Sequence, residues 1–198
     1  MGLDLEYIDS QTALDEDEKE GLLIKSISTR AELDEFEQQN IERAIAWTMK
    51  KRFKIKEILS ESFVRKLHRM MFDQTWRWAG EFRKSNKNIG VDKFQIGIEL
   101  KYLLDDCIFW VENKSFNHDE IAIRFKHRMV HIHPFPNGNG RHSRLIADVL
   151  IEHGFGGHVF SWGSGNLAPK STIRKDYLNS LFAADKDNYE PLIKFARK

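Results

Sequence analysis

Hydrophobic positions recur mostly at helical spacing along this chain of 198 residues. Thr29 and Glu32 have the spacing of a capping box, which predicts a helix from that point to about Lys50. Its apolar side would contain Leu33, Phe36, Ile41, Ala44, Ile45 and Trp47. The next helix is predicted from Ser60 or Glu61 to Phe72, with an apolar stripe of Phe63, Leu67, Met70 and Met71. Further helices are predicted over about 95–113, 118–131, 139–153, 169–184 and 188–197.

The pattern changes in two places. Residues 76–94 contain glycines, asparagines and alternating stretches, which predict a β-hairpin over Glu81–Val91 with its tip near Ser85–Lys87. Residues 1–27 are acidic and irregular, and we expect an N-terminal arm that packs through Leu22, Leu23, Ile24 and Ile27. Residues 28–198 are predicted to form one mainly α domain.

Composition limits the classes of partner. The formal net charge is +1, so the chain as a whole does not favour nucleic acid or an anionic membrane, and any anion site must be local. Cys107 is the only cysteine, which excludes an internal disulfide and a cysteine-based zinc site. The N-terminus lacks the pattern of a signal peptide, and no apolar run reaches the ~20 residues that a membrane-spanning helix needs. We therefore expect a cytoplasmic protein.

The segment 133–144, HPFPNGNGRHSR, carries the strongest chemical signal. Its Gly-Asn-Gly turn opens a helix, where free backbone N–H groups and the positive end of the helix dipole make an anion site. Arg141 and Arg144 are three residues apart and share a helix face, and guanidinium groups suit phosphate. His133 precedes the turn and could accept a proton at neutral pH. The segment predicts a polyphosphate site with a base beside it.

This segment resembles the signature of the Fic family, HxFx(D/E)GNGRxxR. The matching residues are His133, Phe135, Gly138, Asn139, Gly140, Arg141 and Arg144. The wider pattern of arm, WRWAGEFR, KNIGVD and motif is similar to the subgroup called mobile mystery protein B. The resemblance implies a Fic-type helical bundle with a small β-hairpin flap before the active-site loop. Its core would span about 60–155, its flap about 81–94, and its C-terminal helices about 169–197.

The resemblance also implies an activity, which is AMP transfer from ATP with Mg²⁺ onto a Ser, Thr or Tyr hydroxyl of a target protein. His133 would deprotonate the hydroxyl. The nucleotide would be held by Gly138, Asn139, Gly140, Arg141 and Arg144. An extended segment of the target would pair by strand addition with the flap residues Lys87, Asn88, Ile89, Gly90 and Val91.

Asn137 departs from the family pattern, because an acidic residue holds the magnesium ion at that position. An amide offers one neutral oxygen in place of an anionic ligand, so the affinity for metal should fall. Three outcomes follow: slower AMP transfer, another donor or metal, or impaired transfer. Retained AMP transfer is the hypothesis adopted here.

Regulation in many Fic proteins uses a helix with the pattern (S/T)xxxE(G/N), whose glutamate pairs with the arginine equivalent to Arg144. No strict match to that pattern occurs in this chain. Glu37, in the acidic stretch 34–42, is the candidate inhibitory residue, although a solvated acidic face is the favoured interpretation. A separate antitoxin chain is the other mode of inhibition considered.

Three alternatives remain open at this point. His127, His131, His133 and His142 could indicate a metal hydrolase. The basic stretches 50–56 and 62–71 could indicate a non-catalytic nucleotide- or DNA-binding module, although nucleic acid is disfavoured by the balanced charge. Fic relatives also transfer phosphate, UMP or phosphocholine. The Gly140-Arg141 pair matches the AMP-transferring form of the motif.

Overall fold

The computed structural model describes residues 14–164 and 170–198. Its helices are α1 Glu16–Lys19, α2 Arg30–Met49, α3 Ile55–Ile58, α4 Glu61–Phe72, α5 Ile96–Glu112, α6 His118–Ile132, α7 Asn139–Val149, α8 Lys170–Ala184 and α9 Glu190–Arg197. Helix α7 continues into one π-helical turn, Leu150–Gly154. Within the described ranges the only β pairing is an isolated antiparallel bridge between Leu22 and Trp76. The predicted mainly α fold is confirmed.

Side-chain caps fix the start of three helices. The Thr29 hydroxyl accepts a hydrogen bond from the Glu32 N–H at 3.3 Å, and the Glu32 carboxylate accepts one from the Thr29 N–H at 3.0 Å. Ser60 accepts from the backbone of α4, and Asn117 accepts from the backbone of α6. These bonds satisfy N–H groups that have no partner inside the helix, so the predicted starting residues are the observed ones.

The core lies where α4, α5, α6 and α7 pack together, with α2 against α4. Its largest buried side chains include Trp76, Phe72, Phe125, Phe135 and Leu67. Phe135 is fully buried and anchors the 133–140 loop to this core. From the arm, Leu22 and Ile27 are also buried in the core, whereas Leu23 is exposed.

The flap differs from its prediction, because residues 81–94 form an irregular loop without a strand. The buried Arg83 side chain donates hydrogen bonds to three backbone carbonyls, those of Ser85, Val91 and His133. The Asn86 side chain also donates to the Asp92 carboxylate at 2.8 Å. Side-chain bonds therefore hold the chain reversal that a β ladder was expected to hold.

The inner face of α2 also differs from its prediction. Phe36 and Ile45, which were assigned to the apolar side, are 37% and 38% exposed, whereas Glu37 and Asn40 are buried. Buried polar groups need partners. The indole N–H of Trp76 donates to Glu37, and the Asn40 amide donates to the Thr75 hydroxyl at 2.7 Å.

Among the helices of the described ranges, none combines the length and apolar character needed to cross a membrane.

Candidate active site

A pocket of about 620 Å³ opens between the N-termini of α2 and α7, the flap, and helices α8 and α9. The predicted catalytic, metal and nucleotide-binding residues that line it are His133, Asn137, Gly138, Asn139, Gly140, Arg141 and Arg144. Asn88 and Ile89 of the flap also line it. The fold therefore brings one stretch of α6–loop–α7 and the middle of the flap to the same cavity.

Two left-handed residues bracket the loop at the base of this pocket. His133 ends α6 with φ 54°, and Gly138 caps the start of α7 with φ 76°. A Cβ at Gly138 would lie 2.5 Å from Cζ of Phe72, so this position requires glycine both for its backbone angle and for space. The first turn of α7 is thereby exposed to the pocket with no side-chain cap on its N–H groups.

The loop between those residues is held by the side chain of Asn139. Its amide donates to the Phe135 carbonyl at 2.8 Å, and its carbonyl oxygen accepts from the Phe135 N–H at 3.0 Å. Asn139 is buried, so its side chain shapes the loop and only its backbone faces the anion site. A contact to phosphate would therefore use the backbone N–H of this residue.

His68 of α4 supports the same loop. Its Nε2–H donates to the Asn137 carbonyl at 3.0 Å, its Nδ1 accepts from the Gly80 N–H at 2.9 Å, and its ring stacks on Phe135 at 3.7 Å. Burial holds its pKa well below the ordinary value, so it stays neutral with one donor and one acceptor. Sequence reasoning missed this role, because nothing local marks a histidine in an apolar stripe as a support for a distant loop.

The imidazole of His133 is 5% exposed and hydrogen-bonds to the backbone of Val130. Burial, the largest cause, and the nearby cations Arg83 and Lys87 together lower its pKa to about 4, against the Val130 bond, which raises it. The ring is therefore neutral at pH 7 and able to accept a proton. The flap is adjacent, because a Cβ at Gly90 would lie 2.7 Å from Cβ of His133.

The two arginines of the motif have different surroundings. Arg141 forms an ion pair with Glu37 at 2.7 Å, and its guanidinium lies 5.0 Å from the centre of the Phe72 ring. Arg144 forms no ion pair within the described ranges, its guanidinium lies 5.3 Å from the centre of the Tyr177 ring, and its Nε is buried without a partner there. Of the two motif arginines, Arg144 is thus the one without a carboxylate in direct ion-pair contact within the described residues.

Glu37 is 2% exposed, so the interpretation of a solvated acidic face is wrong for this residue, whereas Asp34, Glu35 and Glu42 are exposed. Its second carboxylate oxygen accepts a hydrogen bond from the Trp76 indole at 2.6 Å. Its ion pair goes to Arg141, whereas the family pattern would pair an inhibitory glutamate with Arg144. A carboxylate on α2 thus already occupies one of the two arginines beside the anion site.

The arm contacts the flap through Lys87 and Ser85. The Lys87 side chain is only 4% exposed, and its ammonium group pairs with Asp15 at 2.9 Å and Glu18 at 2.5 Å. The Ser85 hydroxyl also donates to Asp15. Lys87 and Gly90, two of the predicted target-docking residues, are therefore turned to the arm and to His133, while Asn88 and Ile89 face the pocket. Val91 is half-buried, with its N–H on the Ile132 carbonyl.

The predicted metal ligand of the motif, Asn137, makes a hydrogen bond within its own loop. Its side-chain oxygen accepts from the Gly138 N–H at 2.5 Å. No group of three or more His, Cys, Asp or Glu side chains in residues 14–164 and 170–198 could hold a metal ion.

The four histidines of the metal-hydrolase alternative do not converge either. His127 binds Asp185 at 2.8 Å, and His142 binds the Val64 carbonyl at 2.9 Å. His131 is exposed, whereas His133 is buried in the loop. The metal-hydrolase hypothesis is therefore contradicted for the part of the chain that the structure describes.

Comparison with known proteins agrees with the motif and the fold. A family model described as the Fic/DOC family matches residues 58–151. The Protein adenylyltransferase Fic of Aedes aegypti is 28% identical over 120 residues, which is 59% of this chain and 22% of that protein. Its counterpart in Drosophila grimshawi is 28% identical over 120 residues, which is 59% of this chain and 23% of that protein. The chain thus spans about a fifth of the length of these curated relatives.

Solved structures of Fic domains share the fold. BepC protein of Bartonella tribocorum, with bound AMPPNP, has a TM-score of 0.69 at 18% identity over 92% of this chain and 97% of that one. An N-terminal Fic domain from Bartonella quintana, with bound ADP, has a TM-score of 0.66 at 20% identity over 87% of this chain and 86% of that one. The N-terminal FIC domain of Bep8 from Bartonella sp. 1-1C has a TM-score of 0.68 at 17% identity over 88% and 89%.

Proposed function

The chain belongs to the Fic/DOC family through its domain at residues 58–151, and from that premise we propose that it is a protein adenylyltransferase. It would transfer AMP from ATP to a Ser, Thr or Tyr hydroxyl of a target protein. One observation carries the proposal: a neutral, buried His133 shares a pocket with the uncapped N-terminus of α7 and with Arg144. The relatives named as adenylyltransferases, and the bound AMPPNP and ADP of two similar structures, support a nucleotide in that pocket.

The pocket has the chemistry for a nucleoside triphosphate along its length. Backbone N–H groups at the start of α7 would hold the α- and β-phosphates. Arg144, with no carboxylate partner, would take the γ-phosphate. The lining from α8 and α9 is mostly apolar, with Ile173, Leu178, Leu181 and Phe195 beside Arg174, which suits a nucleobase.

The transfer step would be an in-line displacement. The hydroxyl proton of the target moves to the imidazole of His133 as the hydroxyl oxygen attacks the α-phosphorus. A new oxygen–phosphorus bond forms, the bond from the α-phosphorus to the bridging oxygen breaks, and pyrophosphate leaves. Such a reaction depends on positioning and on neutralising charge, both of which the loop and the arginines supply.

Asn137 sets the expectation for metal. A triphosphate can bring Mg²⁺ on its own phosphate oxygens, so the ion would bind with the nucleotide and not before it. An Asn137→Asp substitution would place a carboxylate at the family's ligand position. It should lower the magnesium concentration needed for half-maximal transfer; an unchanged magnesium requirement and rate would mean that this position does not contact the metal.

Asn88 and Ile89 are the docking residues proposed for the target, since both are exposed and line the pocket beside His133. The target segment would run between them and the loop. Glu37 is the proposed inhibitory residue, since it holds Arg141 away from phosphate. A separate antitoxin chain and a cytoplasmic location stay predictions.

The test uses ATP labelled at the α-phosphate and, in parallel, at the γ-phosphate, with the chain incubated in an extract of candidate targets. Label on protein from the α-labelled donor alone would establish nucleotidyl transfer, and its loss in His133→Ala would assign the base. Label from the γ-phosphate alone would indicate the phosphate-transferring alternative. Survival of the α-label in His133→Ala would overturn the mechanism. His131→Ala, an exposed histidine two residues away, is the matched control.

A further inference from the structure

The part of the pocket lined by α8, α9 and Trp162 differs in chemistry from the phosphate cradle. Tyr177 of α8 connects the two parts, since its ring lies beside the Arg144 guanidinium. Apart from Arg174, the other residues of this part are apolar or aromatic: Trp162, Ile173, Leu178, Leu181 and Phe195. Apolar and aromatic groups offer nothing to a phosphate, but they suit a flat and largely uncharged ring.

Trp162 is held in an unusual backbone conformation in this part of the pocket. Its φ is 52°, a region that bulky residues rarely adopt. The conformation is maintained because the N–H groups of Trp162 and Ser161 both donate to the Ala196 carbonyl, at 3.0 Å and 2.9 Å. A strained residue that its surroundings fix so firmly, on the wall of a binding pocket, is a mark of function.

The indole ring is fixed as firmly as the backbone. Its N–H donates to both carboxylate oxygens of Asp148, at 3.1 Å and 3.0 Å. The ring of Phe160, a buried residue, packs against it at 5.1 Å between centres, and the Phe160 N–H also donates to Asp148 at 3.1 Å. With its N–H edge turned to Asp148 and Phe160 behind it, the indole is presented to the pocket in one orientation.

Asp148 links Trp162 to the helix that carries the motif arginines. It follows Arg144 by four residues on α7, so it lies on the same face, roughly 6 Å further from the start of the helix. Burial raises the pKa of Asp148, and the net value is about 6 because the bonds from Trp162 and Phe160 and the cations Arg144 and Arg197 act in the opposite direction. The Asp148 carboxylate thus lies where burial disfavours its charge, and it accepts hydrogen bonds from Trp162 and Phe160.

We infer that Trp162 is the surface on which the nucleotide base stacks, that Asp148 positions its ring, and that the pair selects purine over pyrimidine nucleotides. The inference rests on the proposed nucleotide site and adds a specificity determinant to it. A rigid indole gains more contact with the two fused rings of a purine than with the single ring of a pyrimidine. Asp148 acts only through Trp162, so it is a positioning residue.

Calorimetric titration with ATP, CTP and inorganic tripolyphosphate tests the inference on the full chain. Wild type should bind ATP more tightly than CTP. Trp162→Leu should weaken ATP binding by about 10- to 100-fold, the range expected for loss of one stacking contact. The binding of CTP should weaken far less. Tripolyphosphate should bind to the variant as it does to wild type, and this binding would also show that the variant is folded. Trp110→Leu is the control, because Trp110 lies on α5 and packs on Phe116 away from the pocket.

Two variants of Asp148 separate positioning from simple packing. Asp148→Asn keeps an oxygen that accepts from the indole, so the preference for ATP should survive; Asp148→Leu removes it, so the preference should be lost while tripolyphosphate still binds. Equal binding of ATP and CTP by wild type, or unchanged ATP binding by Trp162→Leu, would overturn the inference and leave the phosphate cradle standing. Failure of wild type to bind either ATP or tripolyphosphate would overturn the proposed function itself, and the inference with it.

Discussion

Replacing Glu37 by glutamine should increase the affinity of the pocket for ATP. The substitution removes the negative charge that pairs with Arg141 at 2.7 Å. The amide keeps an oxygen that can accept from the Trp76 indole, so the side chain stays in place. Arg141 is then released to bind phosphate, whereas in the wild type ATP must first break the pair.

The size of the effect follows from the geometry of the pair. A hydrogen bond to a charged group contributes about 1.5–3 kcal/mol. Glu37 is buried, but the Arg141 side chain is 33% exposed, so solvent screening places this pair at the lower end, about 1.5–2 kcal/mol. Release of that interaction corresponds to roughly 10- to 30-fold tighter binding of ATP.

Isothermal titration of ATP into wild type and Glu37→Gln measures the difference directly. Glu35→Gln is the matched control, because it makes the same charge change at an exposed position on the same helix. Urea unfolding should show that Glu37→Gln loses no more than about 2 kcal/mol. If ATP binds Glu37→Gln no better than wild type, or less well, then Glu37 positions Arg141 for phosphate and does not compete with it.

Three further predictions concern the loop and the flap. Gly138→Ala should lower the free energy of unfolding by about 2 kcal/mol or more, since the new Cβ would lie 2.5 Å from Phe72 in a residue with φ 76°. Gly140→Ala is the control, because a Cβ there meets nothing within 4 Å and the melting temperature should not change. The added methyl group should still weaken ATP binding, since it lies at the phosphate site. NMR of the His133 ring protons should show a titration midpoint near pH 4. The free energy of unfolding should fall as the pH drops from 6.5 toward 4, because the histidine of the unfolded chain takes up its proton first. A midpoint near 6.5 would refute the lowered pKa. Arg83→Lys keeps the charge but loses the hydrogen bonds to three carbonyls, so urea unfolding should show a free energy of unfolding lower by about 1–3 kcal/mol. Initial rates of transfer should also fall. An unchanged rate would mean that the flap does not depend on Arg83.

Features that depend on neighbouring residues could be predicted from the sequence. The caps at Thr29, Ser60 and Asn117 act within three residues, so the helix starts were predicted to within a residue. The anion site at the start of α7 is likewise a property of a short glycine-containing turn followed by a helix. The apolar stripe of α4 placed Phe63 and Leu67 in the core for the same reason.

Features that depend on distant partners could not be predicted in this way. Glu37 looked like a solvated residue because its partners, Trp76 and Arg141, lie far along the chain. The alternation in 81–94 suggested strands, but the buried guanidinium of Arg83 binds two carbonyls of that stretch, those of Ser85 and Val91. Asp148 and Trp162 belong to separate segments whose meeting no periodicity indicates.

The ion pairs of Lys87 have a consequence for how such proteins diverge. The family match begins at residue 58 and includes Lys87, yet the carboxylates that neutralise this lysine are Asp15 and Glu18, which lie outside it. The stretch that matches the family model therefore does not include all the residues on which its own side chains depend. Two descendants with identical motifs would differ in how Lys87 of the flap is held if Asp15 and Glu18 alone were changed. Selection at those two positions would act on the flap beside His133 and leave the signature of the family untouched.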